Sequence, residues 1–210
     1  MHPNPAYRQT DPAISLKAAR RRGFGLLSIN GEAVPLCSHI PFLLSKDGTK
    51  AEAHLVRSNP IAAKLANGPV AALLAVNCGD GYISPDWYQI EDQVPTWNYV
   101  AVHLTGKLRV LPPENLRPHL ERLSDFFERR LAPKPVWRLD KVPPEVQRRL
   151  MRMIVPVELS IETVDATWKL AQNKDAAVRV AAADALEAGG PDAGAAALAA
   201  LMRNPPDQFA

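Results

Sequence analysis

The chain is expected to fold as an α+β protein, mainly β with helices, built on an antiparallel barrel. Three observations predict it. About six apolar runs of strand length follow one another, and tight-turn dipeptides such as Asn30-Gly31 and Asp47-Gly48 join neighbouring runs. From Pro112 to Ile154 the apolar period changes from two to about 3.6. Strands joined by tight turns, with helices inserted or appended, favour a barrel over a doubly wound parallel sheet. Gly23-Phe24-Gly25 does not argue otherwise: it lacks the third glycine of a dinucleotide fingerprint and follows a helix where a strand is required.

Thr10-Asp11-Pro12 supplies a capping oxygen and a proline at the first helical position, and Gly23 follows the basic run Lys17 to Arg22, which predicts a helix from Pro12 to Arg22. Phe24 to Ile29 reads as a strand and Ala33 to Leu44 as its hairpin partner, with Val34, Leu36, Ile40, Phe42 and Leu44 on one face and Cys37, His39 and Leu43 on the other. Lys50 to Leu55 is the third strand. Asn59-Pro60 and Asn67-Gly68 bracket a helix of about two turns. Ala71 to Asn77 is a further strand, with Tyr82 to Ser84 prolonging the sheet after a Gly79-Asp80-Gly81 turn, and Asn98 to Leu111 is the longest strand candidate. Leu116, Leu120, Leu123, Phe127 and Leu131 form one helical stripe, with Pro118 kinking or restarting that helix; Val146, Leu150 and Ile154 form another. The last strand runs from Val155 to Val164. An alanine-rich tail from Asp175 favours helix and is split by Gly189-Gly190-Pro191. The expected division is a barrel domain over residues 1–174, with a helical insertion at about 112–154, and a helical tail over 175–210.

The 210 residues, 47% hydrophobic and 22% charged, suit a soluble chain with one sizeable core and exclude disorder. Even the richest apolar stretch, Val70 to Cys78, is interrupted by Gly68, Pro69, Gly79 and Asp80, so no membrane span is expected. The first residues resemble no signal peptide, and the cytoplasm is the expected compartment. Cys37 and Cys78 lie in apolar surroundings and read as buried free thiols. A net charge of +3 suits a small anionic ligand and does not require nucleic acid; the Lys17 to Arg22 run reads as a solvated helix face.

No nucleophile elbow, Walker loop, HExxH or CxxC is present, so hydrolase and nucleotide-triphosphate chemistry lack their usual support. Four groups of residues remain. In His54-Leu-Val-Arg57-Ser58-Asn59-Pro60, an Asn59 cap would gather free backbone N–H groups, the Ser58 hydroxyl and the Arg57 guanidinium into an anion site, although the same residues also suit an ordinary cap beside a solvated charge. His39 lies one strand away from His54 and suits either a ligand cavity or a core position. His39, His54 and His103 have no metal-ligand spacing. The aromatics of Tyr82 to Tyr88 and Val94 to Tyr99 suit stacking on a planar ring or a hydrophobic plug. Trp168-Lys169-Leu-Ala171-Gln172-Asn173-Lys174 reads equally as a functional loop or a helix start.

Taken in order and spacing, His39-Ile-Pro41-Phe, His54 to Pro60, Tyr82-Ile-Ser-Pro85-Asp-Trp87-Tyr88, Val94-Pro-Thr96-Trp97-Asn98-Tyr99-Val-Ala-Val-His103 and Trp168 to Lys174 closely resemble the PaiB family of FMN-binding bacterial regulators. The resemblance covers roughly Tyr7 to Arg179. It implies a split β-barrel like that of FMN-binding proteins, a homodimer and an FMN cofactor, with haem as the alternative ligand. It raises Arg57, Ser58, Asn59 and Lys64 as holders of the FMN phosphate and places the ring near His39, Trp97 and Asn98. His54, Trp168, Lys169, Gln172 and Asn173 join them as expected cofactor-binding residues. Ala171 stands where the family usually has serine. The implied role is flavin-dependent electron or hydride transfer; the alternative is transcriptional regulation without turnover, with DNA as a partner only in that case.

Overall fold

The computed structural model describes residues 1–191 and 194–206. The expected tail therefore includes residues 192–193 and 207–210 that lie outside the described part. Among the described residues six strands close into a barrel in the order β1-β2-β3-β6-β5-β4. They are β1 (Phe24–Ile29), β2 (Leu36–Leu44), β3 (Lys50–Val56), β4 (Val70–Ile83), β5 (Thr96–Val110) and β6 (Ile154–Lys169). The helices are α1 (Pro12–Arg22), α2 (Pro60–Leu65), α3 (Leu116–Glu128), α4 (Pro144–Met151), α5 (Ala176–Gly189) and α6 (Ala195–Arg203). The β1–β2 and β2–β3 pairs are antiparallel: Leu26 faces His39, and Phe42 faces Ala53. Strand β3 also pairs antiparallel with β6, Ala53 opposite Val157.

The chain divides into two compact units. One comprises Met1–Arg22, Val76–His103 and Val164–Ala210, the other Gly23–Ala75 and Leu104–Thr163, so β4, β5 and β6 supply residues to both. In the unit that begins at Gly23, strand periodicity turns Leu27, Ile29, Ile40, Phe42, Ala53 and Leu55 inward, all at 4% exposure or less. Gly23 ends α1 with φ +63, and a Cβ there would lie 2.9 Å from the Phe126 ring of α3, so glycine satisfies both the left-handed turn and the packing. Gly106 meets a harder constraint: a Cβ would lie 1.8 Å from the Ser160 carbonyl oxygen on the neighbouring strand.

In the unit that begins at Met1, the alanine-rich helices are part of a core. Ala182, Ala183, Leu186, Leu198, Ala199 and Met202 pack with Ile83, Tyr88, Val100, Trp168 and Leu170. Small side chains on α5 and α6 allow two short helices to come close, and the Gly189-Gly190-Pro191 break between them falls where the sequence places it. No helix among the described residues is long and apolar enough to cross a membrane.

Several sequence expectations are corrected. Strand β2 begins at Leu36, and Val34 is 66% exposed, because Pro35 has no N–H to donate and the ladder ends at the Ile29–Leu36 pair. Strand β4 runs unbroken through Gly79, which takes φ +139 while its N–H donates to Asn77 Oδ1. Strand β6 continues to Lys169; its polar stretch hides strand character from a pattern search that requires an apolar face. Cys37 is exposed on the outer side of β2, whereas Cys78 is partly buried and its thiol is pushed up to about 11 by that burial. Pro118 sits in the first turn of α3, where a missing N–H costs no helical hydrogen bond. Leu131 and Leu150 are half exposed, and α4 buries Gln147 instead, which receives a bond from Arg117 and donates to the carbonyls of Leu139 and Val142.

Gly106→Ala is expected to destabilise the fold by about 3 kcal/mol, since the added carbon meets backbone that is held in a ladder. A urea midpoint equal to that of the parent would contradict the close approach.

Candidate functional site

The first polar cluster lies where β3 turns into α2. The Asn59 N–H donates to the Val56 carbonyl, the Asn59 side chain accepts from the Ile61 N–H at 2.9 Å, and Pro60 occupies the first turn. Asn59 Nδ2 donates to Ser38 Oγ at 3.2 Å, tying the turn to β2. Asn59 is thus a positioning residue, with both its amide oxygen and its amide nitrogen bonded within the protein. Arg57 donates from Nε to the Arg152 carbonyl at 3.0 Å and from Nη2 to the Ile154 carbonyl at 3.3 Å. No carboxylate among the described residues pairs with it, so its charge is uncompensated. Ser58 is exposed, and its hydroxyl has no protein partner among the described residues. Lys64 is spent on Glu32 at 2.7 Å, and that bond and charge hold the Glu32 carboxyl below its ordinary range. Helix α2 is only six residues long, so the anion-holding capacity of this turn rests on the Arg57 and Ser58 side chains.

His39 is exposed on β2, its ring stacked against Phe24 with centroids 6.2 Å apart. His54 has a partner that sequence reasoning missed. Its Nδ1 lies 3.2 Å from Nε2 of His119 on α3, and His119 is 0% exposed. The signal was present: His119 falls three residues after Leu116 and four before Leu123, on the stripe that α3 turns inward. The other ring nitrogen of His119 is 3.6 Å from Glu52 Oε2, beyond hydrogen-bond reach, and Glu52 is already bound by Arg122. Burial pushes both imidazoles down; His119 reaches about 4, with the neighbouring charges of His54 and Arg122 adding to the effect.

The second polar cluster belongs to the unit that begins at Met1. Asn98 on β5 is 1% exposed; its Nδ2 lies 3.5 Å from Met202 Sδ and its Oδ1 has no partner. Lys169, at the end of β6, donates to Thr96 Oγ1 at 2.5 Å, and burial lowers the affinity of its amine for a proton. Asn173 accepts from the Tyr7 hydroxyl at 3.1 Å. The Lys174 ammonium donates to Gln93 and stands 4.5 Å above the Tyr88 ring. These groups line a cleft of about 190 Å³. Trp168 and Gln172 are structural within this cluster. Trp168 Nε1 donates to Ser15 Oγ at 3.0 Å, while Gln172 accepts from the Leu170 N–H and donates to the carbonyls of Trp168 and Ala6. That arrangement holds Ala171 at φ +60. Trp97 is half exposed and meets Tyr82 edge to face at 6.2 Å.

The family described as "Putative FMN-binding domain" matches residues 1–163. The chain belongs to this FMN-binding family, the PaiB family. Protease synthase and sporulation protein PAI 2 of Bacillus subtilis is 28% identical over 158 residues, 74% of each chain. A protein of Emericella nidulans is 24% identical over 234 residues, covering 92% of this chain and 93% of its own. Among solved structures, the FAD and haem binding protein from Mycobacterium smegmatis aligns with TM-score 0.54 at 16% identity, covering 77% of this chain and 72% of that one. A conserved hypothetical protein from Mycobacterium tuberculosis, Rv2991, aligns with TM-score 0.55 at 15% identity, covering 81% and 92%. The fold of this PaiB-family chain is the α+β split barrel. Residues Arg57, Ser58 and Asn59 fall within the matched domain; the loop 168–174 follows it.

The histidine pair makes stability depend on pH. The unfolded chain takes up a proton on His119 near 6.5 and the folded chain only near 4, so below 6.5 the unfolded state binds more protons. Stability is complete above that value and falls as pH falls toward 4, by a contribution on the order of 3 kcal/mol, with His54 acting in the same direction. Urea unfolding of the parent and of His119→Gln between pH 4.5 and 7.5 checks this; the variant is expected to lose much of the fall in stability that the parent shows below about 6.5. Parallel profiles for the two proteins would refute it.

Proposed function

We propose that this PaiB-family chain works as a homodimeric flavoprotein in which Arg57 and Ser58 hold the FMN phosphate, in the service of electron or hydride transfer. The observation that carries the reading is the pair of unspent donors at the β3–α2 turn: a guanidinium with no carboxylate partner beside a hydroxyl with none. That donor set fits a phosphate dianion. The carbonyls of Arg152 and Ile154 restrict the guanidinium, so less freedom is lost when an anion is bound, and Asn59 keeps Ser58 in the turn without binding. Lys64 contributes only where Glu32 gives it up. His39, stacked on Phe24, offers an exposed planar surface suited to a ring. FMN, when bound, supplies one- and two-electron chemistry, and the protein's part is to bind and orient it.

Dimerisation is supported by the exposed apolar side chains of Tyr82, Ile90, Val94 and Trp97, 37% to 73% accessible, which a second copy would cover. A reducing cytoplasm suits the two free cysteines. Two further readings have a specific support each. The name of the Bacillus subtilis relative suits a regulatory role, for which binding to promoter DNA should fall steeply with salt. The Mycobacterium smegmatis protein of like fold is described as binding haem, which makes hemin the second ligand to add.

FMN titrated into the flavin-free protein is expected to lose its fluorescence saturably, one flavin per chain. Arg57→Ala should weaken binding roughly 10- to 100-fold and Ser58→Ala about fivefold, the first removing a charge-assisted contact and the second a neutral one. Unchanged affinity in Arg57→Ala would remove the phosphate assignment, and a single species of one-chain mass in sedimentation of the FMN complex would remove the dimer.

A further inference from the structure

The fully buried histidine of α3 is a titratable group to which nothing above gives a task, and its surroundings dictate where the protons of two imidazoles sit. The 3.2 Å contact between His119 Nε2 and His54 Nδ1 holds one proton between the two nitrogens, so one ring donates and the other accepts. Were His119 the donor, its other nitrogen, Nδ1, would carry a lone pair. That nitrogen is buried without a hydrogen-bond partner and stands 3.6 Å from Glu52 Oε2. Two acceptors would then face each other away from water, which a low-dielectric interior penalises. With the proton on His119 Nδ1, an N–H dipole points at the carboxylate instead, and the sign is favourable.

The other charges around the pair leave this preference in place. Arg122 gives its hydrogen bond to the same Glu52 oxygen and none to His119 Nδ1, so it does not satisfy a lone pair there. Arg117 and Glu121 of α3 pair with each other. Opposite Glu52 stand Leu43 on β2 and Glu158 on β6, the latter met by Arg109 and Lys50. His119 therefore accepts on Nε2, His54 donates from Nδ1, and His54 Nε2 keeps a lone pair. His54 is half-buried, and its Nε2 has no protein partner among the described residues and is not shut off from solvent. His54 lies three residues before Arg57, roughly 10 Å at about 3.3 Å per strand residue, a span suited to a ligand whose phosphate sits at Arg57 and whose hydroxyl-bearing chain runs along β3.

We propose that Glu52 and His119 are positioning residues that hold His54 with its proton on Nδ1, so that His54 Nε2 serves as a neutral acceptor for a ribityl hydroxyl of the bound flavin. The ligand named here rests on the flavin reading; the tautomer does not. Burial, which pushes both imidazoles down, keeps the pair uncharged near neutrality and the acceptor available.

The test is nitrogen NMR of isotope-labelled histidine rings in the flavin-free full-length protein at about pH 7.5, where protonated and unprotonated ring nitrogens are told apart by their shifts. Both His54 and His119 are expected to carry the proton on Nδ1, whereas an imidazole free in water favours Nε2. His119→Leu should move His54 to the Nε2–H form and weaken FMN about fivefold, the worth of one neutral hydrogen bond. His119→Gln, whose amide oxygen accepts from His54 Nδ1–H, should keep both the tautomer and the FMN affinity to within about twofold. Glu52→Gln, which removes the selecting charge, should shift the tautomer ratio of His119 toward Nε2–H by about tenfold. Thermal melts accompany each variant; should His119→Leu be unfolded, the parent spectrum and Glu52→Gln still decide. An Nε2–H signal for His54 in the parent, a parental His54 tautomer in folded His119→Leu, or an unmoved His119 ratio in Glu52→Gln would overturn the positioning roles. FMN bound with Arg57-dependent affinity but equally well by folded His119→Leu would overturn the acceptor role alone. FMN that fails to bind the parent would overturn the flavin reading and the ligand named here, while the tautomer result stands by itself.

Discussion

The close approach of β5 and β6 at Gly106 is the constraint on which the barrel depends. These are the longest strands, 15 and 16 residues, and they are neighbours in the closed order. At Gly106 the two backbones come so near that a single added carbon would overlap the Ser160 carbonyl. A barrel has no free edges, so a strand pair that cannot close would expose two ladders of unpaired N–H and C=O groups at once. On β6 the carboxylate of Glu158, 5% exposed, accepts two bonds from Arg109 of β5 and lies 3.6 Å from Lys50 of β3. A buried carboxylate so compensated ties three adjacent strands, and loss of either cation's help would leave it costly to bury.

Closure places chemistry at strand ends. Strand β3 is paired to β6 through Val56 opposite Ile154, and the next residue, Arg57, reaches the carbonyls of Ile154 and of Arg152, two residues before it. The guanidinium is thereby oriented by backbone rather than by an acid, which leaves its charge available. In the other unit, the start of β5 and the end of β6 bring Thr96 and Lys169 into contact. In both places a cation is positioned by neutral oxygen acceptors and keeps its charge uncompensated, unlike Lys64, which is consumed in an ion pair with Glu32.

Much of the fold was legible because local signals and tertiary demands agreed. The cap-and-proline starts at Pro12 and Pro60, the glycine stop at Gly23 and the split of the alanine-rich helices all stand where sequence puts them. Legibility failed where a residue's role depends on what crosses it. Gly79 reads as a turn residue, yet its unusual φ lets a strand continue; Leu150 reads as an inward apolar residue, yet Gln147 holds that place because carbonyls and an arginine converge on its amide. Of the expected ligand residues, Arg57 and Ser58 keep free donors, while Asn59, Lys64, Trp168 and Gln172 are engaged by the protein itself. No spacing rule separates these two outcomes, because each engaged residue also has a partner distant in the chain: Ser38 for Asn59, Glu32 for Lys64, Ser15 for Trp168 and Ala6 for Gln172.

By itself the sequence determined the class of the fold, the order of its elements, the family and the residue types that could meet an anion. These follow from short-range physics: periodicity, capping, turn geometry and motif order are properties of neighbouring residues. Only the tertiary structure decided which of those side chains remain unsatisfied. It paired His54 with His119 across 65 positions, spent Lys64 on Glu32, and left Asn98 Oδ1 without a donor. Hydrogen-bond capacity is a balance over everything within about 3.5 Å of an atom, and which groups stand there is settled by packing rather than by proximity in the chain.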